Sequence, residues 1–318
     1  MSLLEIKNLK TYFKVNGQQY PAVDDVSFSI DKGKIVAVIG ESGSGKSVTA
    51  LSIMGLIDYP GKIVDGEILY NGKNLLKNTK KEMNSIRGNE ISMIYQDPMS
   101  SLDPMMIVGK QIAESLLIHK KADKRTAEKI SMDLMKSVGI ADPEKRFYQY
   151  PNSFSGGMRQ RLMIAMAIAC NPKILIADEP TTALDVTIQA EILELLKSLK
   201  EKNEMSIILN THDLGVVSEV ADDVVVMYCG KIMEMAPKSE IFNDSKNVYT
   251  QELIKCIPKV NDKKKNLDMI PGYVPSISEL PKGCRFSDRC PRATDKCKSE
   301  LPDLKLVSEN HWSRCFIV

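Results

Sequence analysis

Residues 40–47, Gly-Glu-Ser-Gly-Ser-Gly-Lys-Ser, decide the fold, with Lys34-Ile35-Val36-Ala37-Val38-Ile39 before them and Val48-Thr49-Ala50-Leu51 after. The octet fits G-x-x-x-x-G-K-[ST], and its flanks predict a strand over Ile35–Ile39 and a helix from Ser47. A chance Gly/Ser-rich turn would not need both flanks. Glycines 40, 43 and 45 let the backbone curl so that its N–H groups face phosphate, and the helix adds its positive N-terminal end. Lys46 is expected at the β- and γ-phosphates and the Ser47 hydroxyl on magnesium. Gly40, Ser42, Gly43, Ser44, Gly45, Lys46, Ser47 and Val48 are therefore the candidate phosphate contacts.

A second stretch, Ile174-Leu175-Ile176-Ala177-Asp178-Glu179-Pro180, is four apolar residues ending in two carboxylates. At the C-terminal edge of a strand, Asp178 would hold magnesium. Glu179 would orient and polarise the attacking water, a poor nucleophile at neutral pH. Alone, such a pair would be a solvated strand end; the phosphate loop upstream gives it a partner.

Between these stretches lies Phe154-Ser155-Gly156-Gly157-Met158-Arg159-Gln160. With this third motif the chain resembles the ATP-binding-cassette ATPases, whose signature is usually Leu-Ser-Gly-Gly-Gln; here Phe154 and Met158 replace its first and fifth residues. The resemblance implies that Ser155, Gly156 and Gly157 clamp the nucleotide of an opposing subunit. It likewise implies that Gln96 in IYQDP senses magnesium and the attacking water, that Asp185 in TALDV joins the two ATPases, and that His212 in NTHDL contacts the γ-phosphate. Tyr12 in LKTYF resembles the aromatic that stacks on adenine, with Phe13 as its structural competitor. Each motif occurs once, so a complete site would need a second polypeptide.

The resemblance covers residues 1–258 and implies an α/β P-loop NTPase of ABC type, with a β-rich N-terminal subdomain and a helical signature subdomain at about 99–169. Amphipathic stretches such as QIAESLLIHK and AEKISMDLMKSVG support the helical insert. Residues 259–318 read as a polar, basic linker, KVNDKKKN, followed by a small Cys-rich C-terminal module.

Several stretches, among them YQDPMSSLDP and PKGCRFSDRCPRATDKC, resemble the ATPase subunits of dipeptide and oligopeptide importers. That family often has His-Pro-Tyr-Thr before the tail, where this chain has Asn247-Val248-Tyr249-Thr250. The implied partners are a second ABC ATPase subunit, two transmembrane permease subunits and, indirectly, an extracellular peptide-binding protein. The alternatives are a nickel or other solute importer, a soluble cassette protein, or a metal or redox sensor working through the tail.

Composition agrees with these limits. Lys+Arg 43 against Asp+Glu 41 gives a net charge of +2, which offers no electrostatic ground for a nucleic-acid partner. The longest apolar run, Leu162–Cys170, is far shorter than the roughly 20 residues a spanning helix needs. Charges at Glu5, Lys7 and Lys10 interrupt the start of the chain where a signal peptide would be apolar, so the expected place is the cytoplasmic face of the membrane.

Four of the seven cysteines, Cys284, Cys290, Cys297 and Cys315, stand in the tail with spacing C-x5-C-x6-C-x17-C. In a reducing compartment such a group suggests a metal before disulfides. The missing C-x2-C to C-x4-C pairs and the Cys290-Pro291 step favour a 4Fe-4S cluster, with structural zinc and unligated thiols as alternatives.

Overall fold

A computed structural model describes residues 2–97, 101–182, 184–257 and 269–317. The linker KVNDKKKN, the boundary at 258/259 and the start of the helical insert lie outside these residues. The chain forms two compact units, residues 1–76 with 210–318 and residues 77–209.

The first unit begins with two long strands, β1 (Ser2–Val15) and β2 (Gln18–Asp31), paired antiparallel, with β4 (Gly61–Tyr70) on the other side of β1 and β5 (Lys73–Asn74) beyond it. Between β2 and β4 come β3 (Ile35–Ile39), every residue of which is buried, and helix α1 (Lys46–Met54). A continuous apolar run of this kind belongs to a strand covered on both faces. β3 pairs parallel with β9 (Asp223–Tyr228), which pairs antiparallel with β10 (Lys231–Pro237). Helix α8 (Leu214–Val220) packs Leu214 and Val217 into the core shared by β3 and β9.

The second unit holds helices α2 (Lys80–Ile86), α3 (Val108–Ile118), α4 (Lys124–Ser137), α5 (Pro143–Arg146) and α6 (Gly156–Ile168), then α7 (Val186–Asn203). Its buried strands β6 (Ile91–Ile94) and β7 (Ile174–Asp178) run parallel, with β8 (Ser206–Thr211) next to β7. Helices α3 to α6 fall within the stretch, about 99–169, that the sequence reads as a helical insert.

The Cys-rich tail has regular structure of its own. It carries α11 (Asp295–Ser299), β11 (Lys305–Ser308) and β12 (His311–Ser313), following α9 (Lys238–Asp244) and α10 (Val248–Lys255). β12 pairs with β10, so the tail extends the core's own sheet. Its register is fixed by fully buried polar groups: His311 Nε2 lies 2.7 Å from Glu234 Oε1, and Asn247 Nδ2 donates to the carbonyls of Met233 and Arg314. Phe286 completes the seal by packing on Tyr228 and Tyr249, with ring centroids 5.5 and 5.0 Å away. A segment too short for its own core thus borrows one. Among the described residues, no helix is long and apolar enough to cross a membrane.

Candidate active site

The phosphate loop leaves β3 at Gly40, whose φ is 151° and whose Cβ, if it had one, would stand 2.1 Å from the Met227 carbonyl oxygen. Only glycine makes that exit. Gly45, also at positive φ, then caps α1. Lys46 is 4% exposed, and its ammonium donates to the carbonyls of Gly40 at 2.6 Å and Glu41 at 3.2 Å and to Ser44 Oγ at 3.4 Å. The lysine is therefore fixed over the loop, with Ser42 and Gly43 exposed in front of it and Ser47 and Val48 in the first turn of the helix.

Tyr12 lies on β1 and donates its hydroxyl to Asp24 Oδ1 at 3.1 Å. Asp24 also meets Lys231 at 3.0 Å and Arg285 at 3.4 Å, in a largely buried ion network. Burial opposes the Asp24 charge, but the hydrogen bond and charge of Lys231 outweigh it and hold the carboxyl below its usual range. Burial and Asp24 together push the Tyr12 phenol up. Phe13, the neighbour on the other side of the strand, faces Gly61 across the pair with β4. His212 is exposed just past β8, and Asp213 caps α8 by accepting from the N–H groups of Gly215 and Val216.

In the second unit Asp178 is 5% exposed at the end of β7. Glu179 follows at φ 48°, a left-handed conformation that is unusual for a glutamate. Its carboxylate accepts from Gln96 Nε2 at 3.1 Å and from Thr182 Oγ1 at 2.9 Å through the same oxygen, Oε2. Two residues separated by 83 positions, both singled out by motif, are thus in direct contact. Thr182 was not among the candidates, because a threonine three residues past a glutamate has no signature until the turn brings it back.

Ser155 is the N-cap of α6 and accepts from Met158 N at 3.4 Å, which leaves Gly156 exposed at the helix start. A Cβ on Gly157 would come within 2.9 Å of Ile188 Cγ2, so the signature helix and the first turn of α7 approach closely through this glycine. Asp185 caps α7, accepting from Ile188 N at 3.0 Å. Phe154, in the signature's first position, is 2% exposed and lies under Arg146. An apolar side chain is what that position requires, and phenylalanine supplies it.

Comparison with known proteins agrees with this geometry. Residues 23–182 match the family described as "ABC transporter", and residues 233–297 match the "Oligopeptide/dipeptide transporter, C-terminal region". The chain is 51% identical over 317 residues to the oligopeptide transport ATP-binding protein AppD of Bacillus subtilis, covering 99% of this chain and 97% of the relative. The chain belongs to the ABC transporter family. As in other members of the family, its catalytic activity is ATP hydrolysis.

A second relative of this ABC protein is the dipeptide transport ATP-binding protein DppD of Escherichia coli, 46% identical with 99% of this chain and 96% of the relative covered. Among solved structures, a dimeric post-hydrolysis state of the ATP-binding cassette MJ0796 bound to ADP and Pi matches with a TM-score of 0.67 and 26% identity, covering 74% of this chain and 98% of that one.

The tail cysteines of this ABC protein gather without converging on a single point. Among the described residues no three His, Cys, Asp or Glu side chains converge as the ligands of a metal ion. Cys284, Cys290, Cys297 and Cys315 are free thiols that line one small cavity together with Phe286, Pro302, Phe316 and Ile317. Burial pushes the Cys284 thiol up to about 11 and raises Cys290 as well. The cysteine spacing foretold the gathering of the four side chains.

Proposed function

We propose that this chain is the ATP-hydrolysing subunit of a dipeptide or oligopeptide importer, working at the cytoplasmic face of the membrane with separate permease subunits. The observation that carries the reading is similarity that runs through the tail as well as the cassette, with the relatives AppD and DppD covered almost end to end. A nickel or other solute importer has no comparable support.

In this reading Glu179 is the general base, with Gln96 and Thr182 orienting its carboxylate through Oε2 for the attacking water. Lys46 and the loop amides hold the phosphates, and His212 contacts the γ-phosphate. Ser47, Gln96 and Asp178 each carry a hard oxygen donor of the kind Mg2+ takes, and the ion would supply neutralising charge on the phosphates. Tyr12, through its ring, is the candidate adenine platform, with Phe13 beside it. Ser155 and Gly156, exposed at a capped helix start, and the half-buried Gly157 serve the nucleotide of the second cassette, and Asp185 lies at the joint between the two. The test is reconstitution of the chain with its permeases, second cassette and binding protein in vesicles. Peptide is expected to raise ATP hydrolysis and to accumulate in the lumen; hydrolysis indifferent to peptide would refute the assignment.

For the tail, the reading is a 4Fe-4S cluster on Cys284, Cys290, Cys297 and Cys315. Four unpaired cysteines around one cavity support it, and a cubane holds its cysteine sulfurs farther apart than a single tetrahedral zinc does. The cluster would act as a staple for the segment, and its binding would release the thiol protons. Anaerobic protein is expected to be brown with about four irons per chain; a colourless protein carrying one zinc would contradict this.

A further inference from the structure

The side chain of Arg289, immediately before Cys290, is 5% exposed, and the structure gives each of its five N–H donors an acceptor. Nη1 donates to Glu41 Oε2 at 2.7 Å and to the Tyr228 hydroxyl at 3.2 Å. Nη2 donates to Glu41 Oε1 at 3.0 Å and to the Ile270 carbonyl at 3.4 Å, and Nε to the Pro271 carbonyl at 2.9 Å. The ion pair is a bidentate fork on a carboxylate that belongs to the phosphate loop itself. Glu41 is held at two further points: its N–H donates to the hydroxyl of fully buried Tyr249 at 3.2 Å, and its carbonyl accepts from Lys46. A residue 248 positions away thus reaches the loop's second residue.

A carboxylate in a loop that binds triphosphate is an electrostatic liability, because it repels the ligand unless a cation neutralises it. We propose that Arg289 is a positioning residue for the nucleotide: it neutralises Glu41 and holds the loop in its phosphate-accepting shape, making the C-terminal tail part of the ATP site. The proposal rests on the reading of residues 40–47 as that site. Arg289 touches neither the phosphates' expected ligands nor Glu179, so its effect falls on affinity and not on the hydrolytic step.

The test is equilibrium binding of a fluorescent ATP analogue with Mg2+ to the purified full-length chain, alongside KM and kcat for ATP in the assembled transporter. Arg289→Met is expected to weaken binding about tenfold and raise KM to match, with kcat changed less than about twofold. Adding Glu41→Gln to Arg289→Met removes the exposed charge and should restore affinity to within about threefold of the wild type. A purely structural arginine would give no such rescue, so a double variant as weak as the single one would overturn the proposal. Should Arg289→Met not fold, as judged by thermal unfolding, Arg289→Lys carries the test. It keeps charge and bulk but loses the fork, for an expected weakening of about threefold, and wild-type affinity would overturn the proposal. Failure of the wild-type chain to bind the analogue would instead sink the ATP-site reading beneath it.

Discussion

Glu179→Gln is expected to keep MgATP bound and to cut steady-state hydrolysis by about a hundredfold or more. The substitution is nearly isosteric and leaves the φ of 48° and the chain on either side unchanged in demand. What changes is the chemistry of one side chain: an acceptor-only carboxylate becomes a neutral amide that cannot take a proton from water, although its one oxygen can still accept from Gln96 and Thr182. Because the glutamate is asked to act on the attacking water and not on the phosphates, the loss belongs in kcat, with ATP affinity little affected. Single-turnover phosphate release from the assembled transporter measures it. Near-normal release would move the base to another residue.

The second large effect is expected at Lys46. Replacing it with alanine should weaken ATP binding about a hundredfold, since a buried ammonium aimed at phosphate makes charge-assisted hydrogen bonds that nothing nearby can replace. The loop geometry sharpens the expectation. Lys46 is anchored by the carbonyls of Gly40 and Glu41, so its removal deletes a charge and also frees two loop carbonyls. The fold should survive, because α1 is nucleated by Gly45 and by Thr49, whose hydroxyl returns to the Gly45 carbonyl at 2.9 Å. Titration with the fluorescent analogue checks this, and unchanged affinity in a folded variant would contradict the role given to Lys46.

The parts of the site legible in the sequence are those whose chemistry is local. The strand Ile35–Ile39 and the helix after it stand where the apolar run and the glycine loop put them, because both are dictated by neighbours in sequence. Asp178 at a strand end and Ser155 at a helix start follow from patterns of five or six residues. The illegible parts are contacts between distant residues. Thr182 returns to Glu179 only after a turn, and Arg289 reaches Glu41 from the far end of the chain. The strands of the tail are illegible because they are short and find their partner, β10, some seventy residues earlier. Cysteine spacing, by contrast, reports which thiols can gather around one cavity.

The account's central claim is that the nucleotide site is divided, with the phosphate loop and Glu179 of one cassette facing Ser155 and its glycines from another. Sedimentation of the Glu179→Gln chain with its partner cassette, with and without MgATP, tests it most directly. The expected result is association only when ATP is present, with nucleotide retained in the paired species, and loss of that association when Ser155→Arg is added. Tight ATP binding by a species that stays a single cassette at every concentration, unaffected by Ser155→Arg, would contradict it.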